Sequence, residues 1–159
     1  MVLLVENNAG VLSRVSSLFV QRGFNIDSLA VSPTENDRVS RLTIMTTGDE
    51  KTFNQIIKQT GKLIETRLIF SVEPAFSMIR ELMLAKYKTA EGKGEELTAL
   101  IAQFGGKVAD TSEGCIVAQL SDAPDVLDSF LEAARDFNLV ELCRSGAIAM
   151  ERGNVSYEL

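Results

Sequence analysis

The sequence predicts an α+β protein of two tandem βαββαβ sandwiches, and three observations carry that expectation. A chain of 159 residues is long enough for two small domains. Its apolar residues pass between strand alternation and helical period in the same order twice, β, α, β, β, α, β. Turn-forming clusters of Gly, Pro, Asn and Asp stand where the period changes. The repeat lies in the pattern, with little identity between the halves.

In the first half, Met1 to Val5 reads as a strand and Asn7 to Gly10 as a tight turn. Val11, Leu12, Val15, Leu18 and Phe19 then recur on one helix face, which Gly23 ends. Phe24-Asn25-Ile26 starts the next strand, which runs to Ser32 and stops at the polar cluster Pro33 to Asp37. Val39 to Thr47 completes a hairpin. Gly48-Asp49-Glu50 opens a second helix with Phe53, Ile56 and Ile57 on its inner side, ending at Gly61. Leu63 to Val72 is the fourth strand, broken by Glu73-Pro74.

After a short connector at 75–79 the order restarts. Leu82 to Thr89 is a strand and Glu91-Gly92-Lys93-Gly94 a loop. Leu97, Leu100, Ile101 and Phe104 mark a helix stopped by Gly105-Gly106. Lys107 to Thr111 and Cys115 to Leu120 form a hairpin across Ser112-Glu113-Gly114. Asp122-Ala123-Pro124 starts the last helix, with Val126, Leu127, Phe130, Leu131 and Ala134 inward. Leu139 to Met150, interrupted at Ser145-Gly146, closes the unit as a strand. The expected domains are therefore 1–74 and 80–159, both ferredoxin-like: a four-stranded antiparallel sheet with two helices on one face. Each sheet keeps one face uncovered by its own helices, and units this small gain from association, so at least a homodimer is expected.

Composition narrows the function. A net charge of −6 argues against phosphate-backbone binding, so nucleic acid is not expected as a partner. No apolar run approaches the roughly 18 residues of a membrane span, and no basic-then-apolar leader opens the chain. A cytoplasmic location is expected, and an organellar one is compatible if a transit segment was removed. Cys115 and Cys143 suit neither a metal motif nor a disulfide framework and read as buried, reduced thiols. There is no His, which removes the commonest general base, nucleophile activator and metal ligand.

The remaining polar clusters have structural readings. Asp49-Glu50, Glu95-Glu96 and Asp122 with Asp125 all lie at helix starts, where carboxylates favour the dipole. Lys86 and Lys88 share a strand face with Leu82 and Leu84 and point their stems to the surface. Ser13, Ser16 and Ser17 have no base in a motif, and Gly92-Lys93-Gly94 lacks the spacing of a phosphate loop. No catalytic residue is expected.

The turn at Asn7 to Gly10 is the one stretch that suggests a ligand. It feeds a helix whose first N–H groups lack intrahelical partners and carry the positive end of the dipole, while Gly10 permits close approach. A carboxylate suits such a place. The same residues also serve as ordinary turn formers and caps.

The run Glu6-Asn7-x-x-Gly10-Val11-Leu12-Ser13-Arg14-Val15, with Leu18-Phe19-x-x-Arg22-Gly23-Phe24-Asn25-Ile26-x-Ser28-Leu29-x-Val31, closely resembles the opening of the small regulatory subunit of acetolactate synthase (acetohydroxyacid synthase). Similar segments continue through Ser40 to Ile44, Gly48-Asp49-Glu50, Arg80 to Leu84 and Arg144 to Gly153, so the resemblance spans nearly the whole chain. It departs at Asn8, where that family often has another polar residue.

The resemblance implies that residues 1–74 form an ACT domain, a ferredoxin-like fold that senses amino acids. It implies a non-catalytic subunit that activates a thiamine-diphosphate catalytic subunit and confers feedback inhibition by valine or another branched-chain amino acid. The implied effector contacts are Asn7, Gly10, Val11, Asn25 and Ile26. The chain would hold no cofactor; thiamine diphosphate, Mg and FAD would belong to the large subunit. A free-standing amino-acid sensor acting on another protein shares the fold reading, and an enzyme in its own right is disfavoured by the missing machinery.

Overall fold

The computed structural model describes residues 1–89, 92–112, 114–155 and 157. The expected loop residue Glu91 and turn residue Glu113 lie outside them. The chain divides into two compact units, Met1–Met78 with Ala147–Leu159, and Ile79–Gly146.

In the first unit the order is β1 (Val2–Glu6), α1 (Val11–Gln21), β2 (Ser28–Pro33), β3 (Val39–Met45), α2 (Glu50–Thr60) and β4 (Thr66–Phe70). The strands lie in the order β2-β3-β1-β4, with β1 antiparallel to both neighbours and β2 antiparallel to β3. This is the expected antiparallel ferredoxin-like sheet. Met1, Leu3 and Val5 alternate onto the helix side and pack with Leu42 and Ile44 against Val11, Val15, Phe19 and Ile56. In α1 the inner stripe is Val11, Val15 and Phe19, one residue per turn, and Leu12 falls off it at 44% exposed. The helix closes with Gly23 N–H on Val20 O and Phe24 N–H on Phe19 O, a Schellman pair that the positive φ of Gly23, 69°, makes possible. Asp49 caps α2, its carboxylate accepting from Thr52 N–H at 2.6 Å.

The second unit holds β5 (Ser77–Lys88), α3 (Lys93–Gln103), β6 (Lys107–Ser112), β7 (Cys115–Asp122), α4 (Pro124–Ala133) and β8 (Asn138–Arg144), with strand order β6-β7-β5-β8. Met83, Ala85 and Tyr87 of β5 face Leu97, Ile101, Leu127 and Phe130 of the helices. Three expectations change here. The strand expected from Leu82 begins at Ser77, directly after a 3-10 turn at Pro74–Phe76, so the connector is mostly strand. Lys93 and Gly94 belong to α3 rather than to a loop, because Gly92, at φ 84°, makes the turn alone. The cysteines are not buried: Cys143 is exposed and Cys115 half-buried. Register explains this, since they pair with Leu84 and Lys88, whose side chains alternate onto the outer sheet face. Lys86 lies on that face too, paired with Glu141 at 2.8 Å.

Tyr87 sits in the second core with 1% of its surface exposed and Phe130 and Phe137 edge-on at 6.3 and 6.4 Å. Its hydroxyl finds no partner among the described residues, and burial pushes its pKa up to about 12. An unpaired buried hydroxyl costs desolvation without return. Tyr87→Phe is expected to leave stability unchanged or raise it by about 1 kcal/mol in urea unfolding; a loss of that size would show that the hydroxyl is bonded.

The closing strand is interrupted at Ser145-Gly146, as expected. After Ser145-Gly146 the chain leaves β8, and β9 (Ile148–Glu151) pairs with β5 as the fifth strand of that sheet, while Ala147 onward clusters with the first unit. Residues 147–155 and 157 reach the sheet face opposite α1 and α2. Ala147 N–H donates to Ser28 Oγ at 3.2 Å, Arg41 Nη2 donates to Ala149 O at 2.6 Å, and the Tyr157 ring stacks on Phe70 at 4.4 Å. Val2, Leu4 and Val39, which alternate onto this face, are at most 2% exposed.

Candidate functional site

Glu6 ends β1 with its N–H on Glu65 O, and Asn7 N–H donates to Arg38 O at 2.8 Å, so the turn is pinned to the start of β3. The Asn7 carboxamide is exposed and donates through Nδ2 to Asp37 O at 2.9 Å. That bond fixes the amide orientation, and no donor to Oδ1 is found among the described residues. Asn8 instead bonds the Glu6 carboxylate at 3.0 Å.

Gly10 occupies the N-cap position of α1 at φ 84°, ψ −7°, a left-handed conformation that side chains disfavour. No side chain caps the helix and no acidic residue stands in its first turn. The Val11 N–H is spent on Asn8 O at 3.3 Å, which leaves the next N–H groups, of Leu12 and Ser13, and the dipole to meet an external anion. Arg14, one turn on, adds positive charge, although Glu65 holds it at 2.7 Å. Val11 is 4% exposed and serves the core, and its N–H would have to leave Asn8 O, at 3.3 Å, to reach a ligand.

Asn25 and Ile26 are placed elsewhere. They precede β2 rather than starting it, in a loop held by Thr46 Oγ1 donating to Asn25 O at 2.7 Å and Asp27 N–H to Met45 O at 2.9 Å. The Asp27 carboxylate accepts from the Thr47 hydroxyl at 2.8 Å and from Asn25 Nδ2, and these bonds, Thr47 foremost, keep that acid below its usual pKa. Ile26 packs on the core. Because Asn7 adjoins the start of β3 and Asn25 its end, the two lie at opposite ends of a seven-residue strand, roughly 20 Å apart. Within one chain the five expected residues form two groups: Asn7, Gly10 and Val11, and Asn25 with Ile26. Nothing in the primary structure distinguishes that arrangement from a single cluster.

Among the described residues no group of three or more His, Cys, Asp or Glu is disposed to hold a metal, and no helix is long and apolar enough to cross a membrane. The acidic pairs fall at helix starts as expected, with Asp49 capping α2, Glu95 and Glu96 in the first turn of α3, and Asp125 in that of α4.

A βαββαβ sheet whose first turn presents an uncapped helix start describes an ACT-type domain, and residues 1–67 match the family model for the AHAS small subunit-like ACT domain. Residues 80–153 match the model for the small subunit of acetolactate synthase. The chain belongs to the acetolactate synthase small-subunit family. It is 40% identical over 152 residues to a probable acetolactate synthase small subunit of Archaeoglobus fulgidus, covering 96% of this chain and 95% of that one. It is also 40% identical over 153 residues to the acetolactate synthase isozyme 3 small subunit of Salmonella typhimurium, covering 96% and 94%. The crystal structure of the acetolactate synthase small subunit from Thermotoga maritima superposes with a TM-score of 0.86 at 36% identity, over 97% of this chain and 96% of that one.

Proposed function

We propose that this chain is a non-catalytic regulatory subunit that activates the thiamine-diphosphate-dependent large subunit of acetolactate synthase and makes it sensitive to valine or another branched-chain amino acid. Thiamine diphosphate, Mg and FAD belong to the large subunit in this reading, and this chain works in the cytoplasm. The observation that carries the effector site is the uncapped start of α1 beside the oriented Asn7 amide.

The chemistry follows from those groups. The first N–H groups of α1 take the α-carboxylate, and Asn7 Oδ1 accepts from the ammonium. Asn25 and Ile26 come from a second copy. Edge strand β2 runs parallel to β1, so two chains joined antiparallel along β2 bring the partner's loop before β2 to the end of the sheet where Asn7 lies. Each homodimer then has two seam sites, each built from both chains. An apolar wall separates valine from leucine or isoleucine by only about 1–3 kcal/mol per methylene, so all three compete.

Valine that binds one dimer arrangement better, and that arrangement activating the large subunit less, yields inhibition at a distance. A coupling of about 1–3 kcal/mol is enough. Reconstitution with the large subunit tests the reading. Addition of this chain should raise acetolactate formation, and valine should lower it; a chain that neither binds nor activates the large subunit would favour a free-standing sensor.

A further inference from the structure

The covered face of the first sheet contains a cleft unrelated to the turn at Asn7. It measures about 350 Å³, within the range of small-molecule sites, and Arg41 lies in its wall with Glu35 and Glu151. Leu4, Met150 and Val155 give it apolar surface. The Arg41 guanidinium is half-buried, spends one donor on Ala149 O and lies 5.8 Å from the centre of the Phe70 ring. Among the described residues no carboxylate pairs with it within 4.0 Å. Burial lowers its pKa, while Tyr157, Glu151 and Glu35 act from farther off to raise it, and a guanidinium stays charged throughout. Glu35 is exposed and makes no hydrogen bond or ion pair among the described residues; Glu151 accepts from the Tyr157 hydroxyl.

We propose that this cleft is a second small-ligand site, suited to a zwitterionic α-amino acid with a short apolar side chain. The carboxylate meets the free edge of the Arg41 guanidinium, whose planar donors match it. The ammonium turns toward Glu35 and Glu151, and the side chain lies against Leu4, Met150 and Val155. A cation with two carboxylates held off from it is a charge arrangement that such a zwitterion complements. Occupancy would tie residues 150–155 to the sheet, because the ligand touches both.

The test is amide chemical-shift mapping of the full chain carrying Asn7→Ala, which removes the turn site under the reading above. The probes are L-valine and the 2-oxo acid of the same carbon skeleton. L-valine is expected to shift the amides of 34–35 and 150–155 in a saturable way. Glu35→Gln should weaken L-valine about 10-fold and leave the 2-oxo acid unchanged, because only the ammonium loses a partner. Arg41→Gln should abolish binding of both. Amides that stay still at millimolar L-valine, or equal L-valine affinity with Glu35→Gln, would overturn the proposal. Among the described residues Glu35 makes no hydrogen bond or ion pair to 147–155 or 157, so its variant reports on the ligand and not on folding. Failure of the turn site would instead show as unmoved amides at residues 7–11 in the unsubstituted chain.

Discussion

Gly10→Asp should abolish inhibition by valine while activation of the large subunit remains close to that of the unsubstituted chain. The position is left-handed, and Asp is among the residues that enter that region at modest cost. A Cβ there would meet Arg14 Nη1 at 3.6 Å, an ordinary contact, so the fold accommodates it. The introduced carboxylate would then sit at the N-cap and satisfy the N–H groups that the effector needs. Gly10→Ala, with the strain but no charge, should weaken the valine response less. Acetolactate formation at rising valine concentration measures both variants. Loss of activation together with inhibition would mean that the turn serves assembly and not effector binding.

Glu81→Ala should destabilise the second unit by about 3 kcal/mol, the low end of what removing one partner of a buried ion pair costs. The Glu81 side chain is 5% exposed, and its carboxylate accepts from Arg144 Nη2 at 2.6 Å and from Gly146 N–H at 3.1 Å. Arg144 retains Asp128 at 2.5 Å and is 27% exposed, which softens the loss. The cluster fixes the point where the chain leaves β8, reinforced by Ser145 N–H on Leu82 O and Leu82 N–H on Ser145 Oγ. Glu81→Gln, which keeps an acceptor, should cost less than Glu81→Ala in chemical denaturation. A loss below about 1 kcal/mol for the Ala variant would mean that Asp128 alone neutralises Arg144.

Local physics explains which features could be read from the primary structure. The inner stripe of α1, apart from Leu12, the stop at Gly23 and the cap at Asp49 depend on residues within one or two turns, and they appear where expected. The two-unit βαββαβ order follows from the same short-range periods. What escaped is long-range or depends on strand parity. Lys93-Gly94 reads as loop because two glycines flank a lysine, yet only Gly92 needs the left-handed turn. Cys143 reads as buried because β8 is apolar, and only its pairing with Leu84 reveals the outer face. Ser145-Gly146 marks an interruption but not its consequence, since 147–155 and 157 also pack on Ser28, Arg41 and Phe70, more than 75 residues away in sequence. Of the candidate site, the turn at Asn7 was legible and the separation of Asn25 from it was not, because that depends on β2 running parallel to β1 across β3.

The seam arrangement of the effector site is tested most directly by mixing two defective chains. Asn7→Ala alone and Asn25→Ala alone should each lose the seam site in calorimetric titration and keep only the binding owed to the Arg41 cleft. Denatured together in equal amounts and refolded, half of the dimers are mixed, and each mixed dimer regains one site built from Asn7 of one chain and Asn25 of the other. Binding at the seam site should return to about one quarter of its stoichiometry in the unsubstituted chain. A mixture that binds no more valine than either variant by itself would place both asparagines' roles within one chain and contradict the account.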